Sequence, residues 1–199
     1  MTDNASRTPT NSYAQDVGKR NQDIQMKQLE LDLDKIRRVA QEKEDENYDF
    51  RIFLKGKDFD KVDKIVHSLD KQIKSKTDCQ ECGNCCNVLR PTVSNTEIKK
   101  LSKLENIPQL DYEKKYIAKD EIEDVKYLKD TPCKYLKDKN CTIYHDRPND
   151  CRSYPHTHKK YFITRTLGMI EYCGICPIVY NLMENLKIEL NYRCGTNFH

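Results

Sequence analysis

Apolar residues are sparse along this chain and arrive in short periodic runs. Leu29, Leu33, Ile36 and Ala40 recur at spacings of four, three and four, with charges filling the intervals. That period predicts a helix over 22–46 whose stripe is narrow, suited to loose packing or to a protein partner. Residues 50–54 (Phe-Arg-Ile-Phe-Leu) fit either a short extended piece or a continued helix. A clearer helix is predicted over 59–74, with Asp58 as N-cap and Phe59, Val62, Ile65, Val66, Leu69 and Ile73 on one face.

Beyond the first cysteines the pattern changes. Val88 to Val93 reads as a strand or extended run. Ser94-Asn95-Thr96-Glu97 matches a capping box, followed by Ile98, Leu101 and Leu104 at helical spacing. A short helix is predicted over 111–118 and strands over 122–128 and at Tyr161, Phe162, Ile163 and Thr164. Pro177 suits the first turn of a last helix, whose apolar face is Ile178, Val179, Leu182, Met183, Leu186 and Leu190. The expected fold is small α+β and helix-rich, with a cysteine- and metal-centred core and an N-terminal helical extension.

Composition explains why a metal-centred core is expected. Of 199 residues only 37% are hydrophobic while 34% are charged, and there is no Trp. Such a chain buries a modest core, so metal crosslinks would supply part of its stability. The 35 basic and 32 acidic residues are interleaved and leave a net charge of +3, which argues against nucleic acid as a partner. Residues 1–21 have the Asn, Ser, Thr and Pro content of a disordered segment and lack the apolar run of a signal peptide. No stretch approaches the ~18 apolar residues of a membrane span. The expected setting is therefore cytoplasmic, where thiols stay reduced.

That setting decides how the ten cysteines are read. Cys79, Cys82, Cys85 and Cys86 fall within eight residues, and Cys133, Cys141, Cys151, Cys173, Cys176 and Cys194 come later. In a reducing compartment this density points to metal or redox chemistry over disulfides. Two residues between cysteines let the backbone turn and aim both sulfurs at one ion, and the spacing recurs at 79/82, 82/85 and 173/176. Cys85 and Cys86 are adjacent, so their side chains point in different directions. Either they serve two neighbouring sites or one of them is not a ligand. Cys-x2-Cys-x2-Cys also resembles the start of a bacterial ferredoxin run, with Cys176-Pro177 able to complete it from a distance. The domains expected are a disordered 1–21, a helical extension 22–75, a cysteine domain 76–192 and a tail 193–199.

Further along, Cys133 lies in Thr-Pro-Cys-Lys-Tyr-Leu, Cys141 opens Cys-Thr-Ile-Tyr-His-Asp-Arg-Pro, and Cys151 opens Cys-Arg-Ser-Tyr-Pro. With the first cluster, and in this order, these segments resemble the CxxCxxCC family of zinc- or iron-chelating domains, from Cys79 to Pro155 and on toward the last helix. The resemblance implies metal chelation by the cysteines. The family's relatives include a flagellin lysine N-methylase, but nothing in this sequence identifies a methyl-donor pocket, and that activity is not carried over.

The candidate metal ligands are Cys79, Cys82, Cys85, Cys86, Cys133, Cys141, Cys151, Cys173 and Cys176, holding an iron–sulfur cluster or Zn²⁺. Arg147 and Arg152 flank them as cofactor-site cations that would stabilise thiolate charge, or as partners of Asp146 and Asp150. His145, His156 and His158 lie nearby, but the cysteines already suffice in number. No phosphate loop, dinucleotide fingerprint, His-Glu-x-x-His or nucleophile elbow is present. Two alternatives remain beside a simple metal-binding protein. One is a redox or methyl-transfer enzyme using the cluster, and the other a zinc-stabilised module that meets a protein partner through the N-terminal helix.

Overall fold

A computed structural model describes residues 26–195. The expected disordered stretch 1–21, the first residues of the expected N-terminal helix and the last four of the tail lie outside them. The helix expected over 22–46 differs at both ends. Residues 26–32 are not helical, α1 spans Leu33–Glu42, and α2 spans Glu44–Lys55 after a break at Lys43. The physical reason lies about 150 residues away, on the last helix, α10 (Pro177–Glu189). There the Glu30 N–H donates to Asn181 Oδ1 at 2.9 Å, Asn181 Nδ2 donates to the Glu30 carbonyl at 2.8 Å, and the Lys27 N–H donates to Asn185 Oδ1 at 3.0 Å. These two side-chain amides, one turn apart, pair with the backbone as a neighbouring strand would and hold it out of a helix. Helix α1 starts only where Asp32 accepts the N–H groups of Asp34 and Lys35. Residues 50–54 belong to α2, which buries Phe50 and Leu54.

Helix α3 (Phe59–Lys74) has the predicted bounds, and Asp58 caps it by accepting the Lys61 N–H at 2.8 Å. Its face buries Val62, Val66, Leu69 and Ile73, and also two acids, Asp63 and Asp70. Both acids are used. Asp63 accepts the N–H groups of Tyr161 and Phe162 at 2.7 and 2.9 Å, and Asp70 accepts the buried Thr157 hydroxyl while pairing with Lys74. Residues 161–164 are therefore not the expected strand. Capped by Asp63, Phe162–Arg165 forms a 3₁₀ turn that leads into α9 (Thr166–Cys173). Helices α2, α3, α9 and α10 enclose the larger core around Phe50, Val66, Phe162 and Leu182.

A second, smaller core gathers Val93, Ile98, Leu101, Tyr112, Leu128 and Tyr135. It lies under α6 (Asn95–Leu104), α7 (Gln109–Tyr116) and an antiparallel hairpin of β1 (Ile117–Asp120) and β2 (Val125–Leu128). The short helix thus ends before Ile117, and the strand expected over 122–128 begins only at Val125, after the hairpin turn. Val88 closes a short helix, so the extended run begins at Leu89, with Thr92 bridging to Tyr127 on the edge of β2. A second small hairpin pairs β3 (Leu136–Lys137) with β4 (Asn140–Cys141). The architecture is thus helix-rich with short antiparallel strands, and among the described residues no helix is long and apolar enough to cross a membrane.

The capping box forms as predicted and does more than begin α6. Glu97 accepts the Ser94 N–H and hydroxyl on one oxygen, at 2.8 and 2.6 Å, and the Asn149 N–H on the other, at 2.7 Å. Asn149 opens α8 (Asn149–Ser153), which carries Cys151. Burial would raise the Glu97 pKa, but the N–H groups of Asn149 and Ser94 outweigh it and hold the carboxyl below its usual 4.5. Its stabilisation is present in full above about pH 4.5 and fades as pH falls through the lowered folded value. We expect Glu97→Ala to destabilise by about 1–2 kcal/mol at neutral pH and by much less in strong acid, as read by urea unfolding at both pH values.

Candidate metal centre

The cysteine cluster lies between the two cores. Helix α4 (Cys79–Cys82) is one turn, capped by Asp78, and α5 (Asn84–Val88) comes directly after it. Gly83 joins them at φ 59°, a conformation that costs L-residues with a Cβ, and its N–H closes on the Cys79 carbonyl at 3.0 Å. A Cβ at Gly83 would stand 2.6 Å from the carbonyl oxygen of Lys139, in the turn of the β3–β4 hairpin. The cysteine loop is thus seated backbone to backbone on that hairpin.

Two further bonds anchor α5, one at its start and one at its middle. Asn84 Nδ2 donates to the Ile175 carbonyl at 2.7 Å, which ties the start of α5 to the residue before Cys176. The Cys133 N–H donates to the Cys86 carbonyl at 2.8 Å. The Leu136 N–H then closes on Cys133 O at 2.9 Å, and Leu136 pairs with Cys141 across the hairpin.

Cys79, Cys85, Cys86, Cys133, Cys141 and Cys151 line one cavity of about 860 Å³. All ten cysteines are free thiols. Cys82 is half-buried on α4, and Cys176 is buried at the start of α10. Cys173 is only 2% exposed within the helical core, away from the cavity lining. Cys194 is exposed beside Tyr192. Among the described residues no three His, Cys, Asp or Glu side chains stand in a ready-made metal-binding arrangement.

The electrostatic neighbourhoods of the thiols are distinct. Burial pushes Cys151 up to about 12, helped by the nearness of Cys133, Cys86, Asp150 and Cys141. Burial likewise raises Cys133, whose neighbours include Cys86 and Cys141, and Cys141, which is near Cys86. Cys176 is pushed up to about 11 by burial, with Cys79 and Cys82 beside it. Cys79 is exposed as a whole residue, yet desolvation of its thiol at the cavity rim raises it, followed by Cys82 and Asp78. Cys85 is raised by its hydrogen bond with Cys86, then by burial and by Cys86, Cys176 and Cys79. These thiols stay protonated until a cation takes the place of the proton.

Arg147 and Arg152 both line the cavity. Arg147 lies over the Tyr144 ring at 3.7 Å and lowers the thiol pKa of both Cys79 and Cys141. Both arginines also brace the backbone of this turn, Arg147 by donating to the Tyr144 carbonyl and Arg152 to the His145 carbonyl at 2.9 Å, but of the two Arg147 bears on the cysteine thiols. His156 is occupied on both ring nitrogens, by Ser153 Oγ at 3.0 Å and by Asp150 at 3.2 Å. The Tyr154 hydroxyl is buried with no hydrogen-bond partner, and Cys176 and Cys85 lie near it. A soft cation held by thiolates fits this setting, because an electron-rich sulfur would accept from that stranded hydroxyl. Zinc and iron both take thiolate donor sets of this kind.

Gly83 and Asn84 position the site and were not singled out from the sequence. The signal for Gly83 was present, since Gly directly after a short helical turn marks a left-handed cap. Asn84 carried none, because its partner is 91 residues away.

Residues 78–176 match the model of the CxxCxxCC family, described as "Putative zinc- or iron-chelating domain". No curated protein and no solved structure matches the chain.

Gly83→Ala should cost at least about 1–2 kcal/mol from the left-handed backbone alone. The contact with Lys139 adds to this, so the melting temperature of the metal-free protein should fall by roughly 4 °C or more. An unchanged melting curve would mean that the cysteine loop does not rest on the hairpin.

Proposed function

Since residues 78–176 belong to the CxxCxxCC family, we propose that this protein is a metal-binding module whose clustered cysteines hold zinc or iron as thiolates. One observation carries the reading. Cysteines separated by up to 72 positions, Cys79 to Cys151, line a single cavity as free thiols between two small hydrophobic cores. Packing alone gives no reason to gather so many polarizable, ionisable groups there. The bound metal supplies a cross-link among segments that otherwise touch through a few hydrogen bonds.

The chain's own residues prepare the site. Burial keeps Cys79, Cys133, Cys141, Cys151 and Cys176 neutral in the free protein, while the hydrogen bond from Cys85 lowers Cys86 to about 7, so metal uptake at the raised thiols releases protons and strengthens as pH rises. Arg147 offsets the negative charge that builds up when thiolates gather around a divalent ion. With a metal bound, the Tyr154 hydroxyl would donate to a thiolate sulfur on the Cys176 side.

Anaerobic purification followed by metal analysis and a visible spectrum tests the proposal. Absorption near roughly 400 nm marks an iron–sulfur centre. A colourless protein with about two zinc ions per chain marks zinc, as four thiolates per ion allow. Stripping the metal should lower the melting temperature. A chain that arrives without metal and takes up neither zinc nor iron would refute the proposal.

A second expectation concerns Arg147. Arg147→Gln should weaken metal binding by about 10–100-fold in a chelator competition, while Arg152→Gln should change it far less. Equal effects would remove the distinction drawn between the two arginines.

A further inference from the structure

The thiols of the two adjacent cysteines hydrogen-bond to each other, yet the segments on either side of them are tied to different halves of the molecule. The two cysteines sit in α5, where neighbouring residues are rotated by about 100° about the helix axis. The bonds on either side of them lead to different places. Asn84, just before Cys85, is tied to Ile175, just before Cys176. Cys86 is tied through its carbonyl to Cys133, and the β3–β4 register sets Cys141 beside the turn that Cys133 begins. Cys151 faces the same group, with Cys133, Cys86 and Cys141 as its neighbours. On the other side α4 offers Cys79 and Cys82 at i and i+3 on one helical face, and Cys176 has both as neighbours.

From this geometry we infer that eight of the cysteines form two separate four-sulfur metal sites. One is Cys79, Cys82, Cys85 and Cys176, and the other is Cys86, Cys133, Cys141 and Cys151, with the Cys85–Cys86 peptide as the partition between them. The inference rests on the metal-binding reading above and deepens it. It assigns one ion or cluster to each quartet, with Arg147 as shared counter-charge because it lines the cavity together with cysteines of both sets. Cys173 and Cys176 share the helical core, but of the two Cys176 has Cys79 and Cys82 as neighbours, so Cys173 is assigned to neither quartet.

The test uses the reduced full-length chain under anaerobic conditions, with Zn²⁺ as probe. Zinc is added to half saturation, free thiols are alkylated, and intact-chain fragmentation mass spectrometry reads which thiols are protected within single molecules. Protection should come four thiols at a time, as one quartet or the other, and full loading should give about two zinc ions per chain. Cys133→Ser should reduce this to about one while leaving Cys79, Cys82, Cys85 and Cys176 protected, and Cys176→Ser should do the reverse. Cys173→Ser should leave both sites filled.

Protected sets that mix members of the two quartets would overturn the partition. So would loss of all zinc from a Cys133→Ser chain that circular dichroism shows to be folded. If a variant does not fold, the half-loaded wild-type chain alone decides. A chain that binds no zinc or iron at all fails the metal-binding reading itself, whereas zinc bound by mixed sets fails only the partition.

Discussion

Within three residues the chain is fastened to both halves of the molecule. The Asn84 side chain holds Ile175 on the helical side, and the Cys86 carbonyl holds Cys133 on the hairpin side. Each bond alone is worth only about 1 kcal/mol in net stability. Their effect is mainly geometric, since they fix which later cysteines each early cysteine can meet. The Gly83 turn makes the arrangement possible by letting α4 and α5 succeed one another while the backbone rests on Lys139. The placement of the sulfurs rests on this short, polar, mostly non-repetitive stretch, and only secondarily on the two hydrophobic cores.

The cores are small and separate, as a chain with 37% hydrophobic residues allows. Polar side chains do much of the joining within the helical half. Asp63 and Asp70 hold the 157–162 segment against α3 from within a buried face. Lys187, only 6% exposed, is neutralised by Glu46 on α2 and Glu184 on its own helix. Removing one partner of such a group leaves a buried charge or donor unpaired, which costs more than the pair contributes when intact. A fold joined in this way gains from any cross-link that spans its two halves.

Much of the helical scaffold was legible in the sequence because its determinants are local. The bounds of α3 come from Asp58 and an unbroken apolar period, the start of α6 from Ser94 and Glu97, and the start of α10 from Pro177. Two of the departures share a cause, a partner distant in sequence that overrides a local preference. The β-branched and aromatic run 161–164 turns into a 3₁₀ helix because Asp63, about 100 positions earlier, caps it. Residues 26–32 leave the helical pattern because Asn181 and Asn185 offer them backbone-like partners. For the cysteines, adjacency suggests divergent side chains, yet the Cys85 and Cys86 thiols hydrogen-bond to each other, and the segments they are tied to become visible only through Asn84, Gly83 and the β3–β4 register.

Cys173 marks the limit of spacing as evidence. Cys173 and Cys176 carry the same two-residue interval as Cys79 and Cys82, yet the intervals do different things. Cys79 and Cys82 lie within a single helical turn and share a face. Cys173 ends α9, the chain then turns at Gly174, and Cys176 caps the start of α10, so the helix boundary falls between the two sulfurs. Both thiols are buried in the helical core, but Cys176 is also near α4 and Tyr154. Burial raises the pKa of both, to about 12 and about 11. Cys176 has Cys79 and Cys82 as further neighbours, whereas the surroundings of Cys173 are those of a small buried hydrophobe.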